Sequence, residues 1–231
     1  MRDTNSDLEY AYNLNCSDLN QEDFLNMLQN GNVAEKQIAA LKIENVTSKD
    51  EAIILLNNLT GCDGKIREAV AFKINELLLY KENIKHIFAE VSAEKFAQAT
   101  IDINANICRL ILESAELLRD YPGFSEQYTS LIIKYTNSAL SELDKFIFRD
   151  KKYVINKQLF KLYWCLEALY YFCDYTDVQV LKSILTKSVR QSEYTIREKV
   201  AQICKKHRLF PDIQKELKND ENYYVRNVFN S

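Results

Sequence analysis

The chain has 231 residues, of which 47% are apolar and 27% are charged, and its formal net charge is −3. This composition is typical of a globular protein with a substantial core, and it excludes wholesale disorder. Only four glycines and two prolines are present, whereas all-β and doubly wound α/β folds need turn residues in quantity. The composition therefore predicts an all-α protein whose helices are joined by short polar links.

The charge is distributed unevenly along the chain. Residues 1–60 carry four basic and ten acidic side chains, whereas residues 177–231 carry eleven basic and seven acidic ones. The overall acidity argues against a dedicated nucleic-acid-binding domain, which is usually basic. The basic C-terminal end suits head-to-tail association or an acidic partner. The alternative is that both ends are simply exposed to solvent and that their difference in charge serves no partner.

The cysteines and the apolar runs predict a cytoplasmic protein that does not enter a membrane. No C-x-x-C pair occurs, and His86 and His207 lie far in sequence from any cysteine pair, so zinc-ligand spacing is absent and no metal or cofactor is predicted. The first twenty residues lack the charged-then-apolar order of a signal peptide, and the most apolar run, 160–175, is interrupted by charges and too short to span a bilayer. Four cysteines lie in apolar helical patterns and are predicted to be reduced core residues: Cys108, Cys165, Cys173 and Cys204.

In chain order, residues 1–19 are polar and weakly periodic and predict a loosely ordered leader, and residues 20–231 predict a single helical domain. Gly31 stands where a helix C-terminal glycine is expected, and Ser48 and Glu51 have the spacing of a capping box. The apolar periodicity predicts helices near residues 20–31, 33–46, 48–61, 63–78, 84–91, 93–99, 101–119, 124–148, 154–174, 177–190, 193–208, 211–219 and 222–230.

Two of these helices begin with nearly the same residues. The six residues that begin with Ile66 match the six that begin with Ile196 at five positions, and Val225-Arg226 opens the last helix in the same manner. Taking residues 66, 107, 155 and 196 as equivalent gives spacings of 41, 48 and 41 residues, close to the roughly 40–47 residues of helical-hairpin repeats.

A polar cap followed by a β-branched residue, Arg and a small apolar run resembles the second helix of a HEAT repeat. The resemblance is strongest over 63–74, 193–204 and 221–229. It implies a right-handed α-solenoid of about six stacked antiparallel helix pairs, in which the second helix of each pair lines the inner face. It also implies that the acidic and arginine positions stack between repeats.

The predicted partner-binding residues lie in the C-terminal half. Tyr163, Trp164 and Tyr171 belong to an aromatic stripe on the 154–174 helix, and tyrosine and tryptophan are preferred anchors of binding surfaces. Arg197 and Lys205 belong to a basic patch that suits phosphate or an acidic partner. The alternatives are packing between helix pairs for the aromatics, pairing with carboxylates for the arginine and a solvated face for the lysine.

The leading functional prediction is a non-catalytic scaffold or adaptor that binds a protein or peptide on the inner helices. The alternatives implied by HEAT-like relatives are a nucleic-acid-binding protein similar to alkylpurine DNA glycosylases and a chaperone similar to phycobilin lyases. Cys204 and His207 are neighbours on one helix but are expected to face the core, so no catalytic residue is predicted. The oligomeric state stays open.

Overall fold

The computed structural model describes residues 4–145 and 152–230. Within these ranges the chain is helical and contains no strand, which confirms the all-α prediction. Two short 3-10 helices, Glu82–Ile84 and Cys173–Tyr175, accompany the α-helices. The described α-helices are α1 (Thr4–Cys16), α2 (Gln21–Asn30), α3 (Val33–Lys42), α4 (Lys49–Leu59), α5 (Gly64–Tyr80), α6 (Lys85–Val91), α7 (Ala93–Thr100), α8 (Ala105–Leu117), α9 (Pro122–Lys145), α10 (Lys152–Phe172), α11 (Val178–Val189), α12 (Tyr194–Lys206), α13 (Pro211–Leu217) and α14 (Tyr223–Asn227).

The helix boundaries follow the sequence signals closely. Asp63 accepts from the N–H groups of Lys65 and Ile66 and so caps α5, and Pro122 and Pro211 each occupy the first position of a helix, where proline is tolerated. The predicted helix near 124–148 is α9, and residues 146–148 lie outside the described residues. A helix, α1, stands where the loosely ordered leader is predicted, and the Tyr10 hydroxyl bonds to Glu35 of α3.

By internal contacts the chain divides into two compact units, residues 1–124 and residues 125–231. The prediction of one domain over 20–231 stays a prediction. In the first unit α5 packs against α3, α4 and α8, and Val70, Ile74 and Leu78 of α5 are fully buried. In the second unit α12 packs against α10, α11, α13 and α14.

The start of four helices repeats one pattern. An apolar β-branched residue follows the N-cap residue by three positions and is buried in each case: Ile66 in α5, Ile107 in α8, Ile196 in α12 and Val225 in α14. In each of these four helices the third residue after the N-cap faces the core. The four helices therefore present the same position to their neighbours, which explains why that position carries the same type of residue. Residues 66, 107 and 196 thus occupy the same position of their helices, whereas Ile155, the fourth residue of the predicted equivalence, is only half-buried in α10. The repeat of helix pairs stays a prediction.

The residue after Ile66 forms an arginine clamp in the first unit. The Nε of Arg67 donates to Asp102 Oδ2 at 2.7 Å, and its Nη1 donates to the carbonyl oxygens of Gly61 and Cys62 at 3.0 and 3.1 Å. Asp102 Oδ1 accepts from the backbone N–H of Asn104 at 2.8 Å, just before α8 begins. One guanidinium thus satisfies the carbonyls that follow α4 and holds the start of α8.

The second unit contains the same clamp. The Nε of Arg197 donates to Asp220 Oδ2 at 2.7 Å, and its Nη1 donates to the carbonyl oxygens of Gln191 and Ser192 at 2.9 Å each. Asp220 Oδ1 accepts from the N–H of Asn222 at 2.8 Å, just before α14 begins. Both arginines therefore pair with carboxylates, Arg67 with Asp102 and Arg197 with Asp220.

Gly31 ends α2 without the left-handed backbone that usually selects glycine there. Its φ is −73°, but a Cβ at this position would lie 2.6 Å from the carbonyl oxygen of Met27 and 2.8 Å from Cβ of Glu35. The close approach of backbone to backbone is therefore what requires glycine.

We expect Gly31→Ala to lower the free energy of unfolding by about 1–3 kcal/mol, since neither neighbouring atom can move away without a backbone shift. Gly123→Ala is the matched control, because a Cβ there meets nothing within 4 Å, and we expect it to be neutral or stabilising by up to about 1 kcal/mol. Urea denaturation followed by circular dichroism measures both. Equal stability of the two variants would contradict this account of Gly31.

Within the described residues, no helix combines the length and the apolar character that crossing a membrane requires.

Candidate binding groove

A surface groove of about 930 Å³ lies in the second unit between α10, α12 and α14. The end of α10 contributes Tyr170 and Tyr171, and the first turn of α14 contributes Tyr224. The four basic residues that line it are Lys199, Lys205 and Lys206 of α12 and Arg208 just after that helix. We call this feature the α10–α12–α14 groove.

Local sequence signals place these side chains. Lys205 and Lys206 lie in the last turn of α12, where the exposed carbonyl ends of a helix favour cations. The side chain of Asn222 accepts from the N–H of Tyr224 at 2.9 Å and so fixes the start of α14. Tyr224 in turn stacks on Tyr194, the first residue of α12, with ring centroids 5.9 Å apart and an interplanar angle of 27°.

The ammonium group of Lys206 contacts two aromatic rings of the groove. Its ammonium lies 3.9 Å from the ring centroid of Tyr170 and 4.8 Å from that of Tyr171, and it donates to the Tyr170 carbonyl oxygen at 3.1 Å. The two tyrosine rings meet edge to face, with centroids 5.1 Å apart. An ammonium held over two aromatic faces is positioned in advance, so little side-chain freedom is lost when an anion binds it.

The other cations of the groove are partly engaged. Lys205 donates to the Val228 carbonyl oxygen at 2.7 Å, so it ties α12 to the residue that follows α14. Lys199 forms an ion pair with Glu167, and both side chains are largely buried. With Glu167 and Glu198 also lining the groove, four basic and two acidic residues give it a formal charge of 4 − 2 = +2.

The structure brings together two of the five predicted partner-binding residues. Tyr171 and Lys205 both line the groove. Tyr163 lies beside it, because the Lys199 ammonium is 5.4 Å from its ring centroid. Arg197 does not reach the groove, since its side chain is 8% exposed and bound to Asp220. Arg197 therefore stabilises the fold and is not part of the α10–α12–α14 groove.

Trp164 is not one of the residues that line the groove. It packs edge to face against Tyr163, with centroids 5.4 Å apart, and against Phe160 at 6.3 Å. Its indole Nε1 is buried and has no hydrogen-bond partner among the residues that the structure describes. This environment matches the alternative reading of the stripe as packing.

Sequence reasoning did not single out Tyr170, Lys206 or Tyr224 as a set. Tyr170 and Lys206 are 36 residues apart, and Tyr224 lies on a third helix. The available signal was the coincidence of an aromatic stripe at the end of one helix and a Lys-Lys pair at the end of another. Only the packing of α10 against α12 shows that these two ends coincide.

The Cys204–His207 pair does not form a nucleophile. Cys204 is fully buried, and burial raises the pKa of its thiol to about 12. Burial also raises the pKa of Cys165 to about 12. At neutral pH both thiols stay protonated, and thiolate is the reactive form. The His207 ring is directed instead to the Tyr170 carbonyl, with Nε2 at 3.0 Å.

The geometry thus offers a groove with pre-positioned cations and tyrosines. The arginine clamp occurs once in each of the two units. No protein-family model matches the chain, and none of the curated proteins compared with it matches either.

Proposed function

We propose that the chain is a non-catalytic, HEAT-like α-solenoid adaptor of the cytoplasm that binds an acidic segment of a partner protein in the α10–α12–α14 groove. The observation that carries the proposal is the Lys206 ammonium stacked on Tyr170 and Tyr171. The two arginine clamps and the common helix register support a repeated architecture. All six cysteines are free thiols, as is usual in reducing compartments.

An acidic peptide suits the groove chemically. Carboxylates of such a peptide can accept charge-assisted hydrogen bonds from Lys206 and Arg208, and the exposed ring of Tyr224 offers apolar area and a hydroxyl. Lys206 is already held by Tyr170 and Tyr171, so little of its side-chain freedom is lost when a peptide carboxylate binds it.

Glu167 and Glu198 favour a peptide over a nucleic acid. A continuous phosphate backbone needs an uninterrupted basic track, whereas Glu167 neutralises Lys199 and Glu198 adds a second negative charge to the lining. A peptide can alternate acidic and neutral side chains and so avoid these two carboxylates.

The test is the binding of fluorescein-labelled peptides rich in Asp and Glu, read by anisotropy at low and at physiological salt. We expect Lys206→Glu to weaken binding about tenfold or more, because it sets like charges against each other at the centre of the groove. Lys187→Glu is the matched control, since Lys187 is an exposed lysine in the last turn of α11, outside the groove. We expect this control to change affinity much less.

Three results would overturn the proposal. The first is the absence of salt-dependent peptide binding, and the second is an equal loss of affinity in both variants. The third is tighter binding of a labelled single-stranded oligonucleotide than of any acidic peptide, with the same dependence on Lys206, which would replace the adaptor reading by a nucleic-acid-binding one.

A further inference from the structure

A cluster of three metal-ligating side chains lies where the ends of α10 and α12 meet. Cys173 and Asp174 belong to the 3-10 helix that follows α10, and His207 is the C-cap residue of α12. One potential ligand atom from each residue lies within 4.8 Å of the others. The Cys173 residue is 4% exposed, while the side chains of His207 and Asp174 are 14% and 58% exposed. The cluster therefore has a buried sulfur and an opening to solvent at the carboxylate.

The orientation of the His207 ring is set by a backbone group. Its Nε2 lies 3.0 Å from the carbonyl oxygen of Tyr170, and a carbonyl only accepts hydrogen bonds. Nε2 therefore carries the hydrogen, and in the neutral ring the lone pair is on Nδ1. This lone pair is on the Asp174 side, where Nδ1 lies 3.7 Å from Oδ1. A backbone carbonyl that holds the far nitrogen of a histidine is the usual outer-shell partner of a metal-ligating imidazole.

The Nδ1 lone pair and the Asp174 carboxylate both face the same point, so a cation placed there would be attracted by both. At 3.7 Å the separation exceeds the roughly 3.2 Å limit of a good N–H···O hydrogen bond. Ligand atoms about 2.0–2.3 Å from one tetrahedral metal ion are about 3.3–3.6 Å apart, and the Cys173 Sγ is also 3.7 Å from Asp174 Oδ1. In the absence of metal, the Cys173 thiol donates to Oδ1, and both Sγ and Nδ1 lie a few tenths of an ångström beyond the ligand spacing of one tetrahedral ion.

We propose that Cys173, Asp174 and His207 bind a divalent transition metal of the zinc class, through Sγ, a carboxylate oxygen and Nδ1. A thiolate and an imidazole favour zinc-like ions, whereas magnesium and calcium prefer oxygen ligands only. Binding releases the thiol proton of Cys173 to solvent as the sulfur–metal bond forms. Three protein ligands leave a fourth position, which faces solvent beside Asp174 and takes water.

The sequence could not show this site. The ligand pattern contains no C-x-x-C pair, and His207 follows Asp174 by 207 − 174 = 33 positions. The three residues meet only because α10 and α12 pack side by side and end at the same place. The Tyr170 carbonyl that orients His207 also accepts from Lys206, so the metal site adjoins the groove without sharing its lining residues.

Cobalt(II) is the probe for this site, added to the reduced, chelator-treated full chain. We expect one equivalent to bind with a thiolate-to-cobalt charge-transfer band in the near ultraviolet and intense visible bands of tetrahedral cobalt, and zinc(II) to displace it. Cys173→Ser should remove the charge-transfer band. Asp174→Asn and His207→Gln should each lower the affinity tenfold or more.

Two matched controls use residues of the same type elsewhere. Cys62 and His86 are both exposed, and we expect Cys62→Ser and His86→Gln to leave the spectrum and the stoichiometry unchanged. Failure to bind one equivalent, a charge-transfer band that survives Cys173→Ser, or an equal loss in the controls would overturn the proposal. Because Asp174 is largely exposed, Asp174→Asn keeps the fold and decides the question if Cys173→Ser fails to fold.

Discussion

Replacing Arg197 by alanine is expected to lower the free energy of unfolding of the second unit by about 3–5 kcal/mol, the cost of breaking a buried ion pair by removing one partner. The change removes the cation that pairs with Asp220 at a site where the side chain of Asp220 is 9% exposed. It also leaves the carbonyl oxygens of Gln191 and Ser192 without their donor. Trp164 is the single tryptophan and lies in α10, so urea denaturation followed by its fluorescence reports on this unit.

Arg190→Ala is the control for charge removal, because Arg190 is an exposed residue at the end of α11. Its expected effect is within about 0.5 kcal/mol. If both arginine variants unfold at the same urea concentration, the clamp does not contribute to the stability of the second unit.

The same pair predicts how stability changes in acid. The hydrogen bond from Arg197 lowers the pKa of Asp220 in the folded state. The stabilisation that this carboxylate provides is therefore fully present above the pKa of an unfolded aspartate, about 3.9, and is lost as the pH falls through the lower folded pKa. We expect the stability difference between the natural chain and Arg197→Ala to be constant near neutrality and to shrink below about pH 4.

Phe172→Ala is expected to lower the free energy of unfolding by about 3–5 kcal/mol. Phe172 is 1% exposed at the end of α10, and its ring centroid lies 5.0 Å from that of Tyr128, which is fully buried. Truncation leaves a cavity whose walls include an aromatic ring and the helix backbone, neither of which can close it. The transition of Trp164 fluorescence in urea measures the loss.

Tyr153→Ala is the control on the same helix, because Tyr153 is 80% exposed. Alanine is a strong helix former, so this substitution should change stability by no more than about 0.5 kcal/mol. If Tyr153→Ala lowers the free energy of unfolding as much as Phe172→Ala does, burial of Phe172 is not what stabilises α10.

Much of the fold follows from the sequence because helices are specified locally. Caps such as Asp63 and first-position prolines such as Pro211 act within a few residues of their own position. Each predicted helix has an observed counterpart, and α1 is the described helix that the sequence pattern missed. Ser48 shows the limit of such signals. Its side chain accepts from the Glu51 N–H at 3.3 Å, but Glu51 bonds back to the N–H of Thr47 instead of Ser48. Whether Glu51 bonds to the N–H of Ser48 or to that of Thr47 depends on the direction in which the chain enters the helix. The spacing of Ser and Glu in the sequence does not determine that direction.

The candidate sites were harder to predict because they are made at helix ends that are distant in sequence. Tyr171 and Lys205 were predicted from residue type, and both line the groove. Arg197 was included for its charge, but burial and Asp220 decide its role. The cluster at His207 depends on which two helices end side by side, and residue spacing within a helix carries no information about that.

The arginine clamp also bears on how the chain tolerates changes of length. The clamp closes over 35 residues between Arg67 and Asp102 and over 23 residues between Arg197 and Asp220, with nearly the same bond lengths. The first interval contains α6 and α7, whereas the second contains only the short α13 besides the clamped helix. Because the clamp joins the ends of an interval and not its interior, helices can be gained or lost between its two residues while the junction keeps its geometry. In this chain, one junction geometry thus accommodates intervals of 35 and 23 residues.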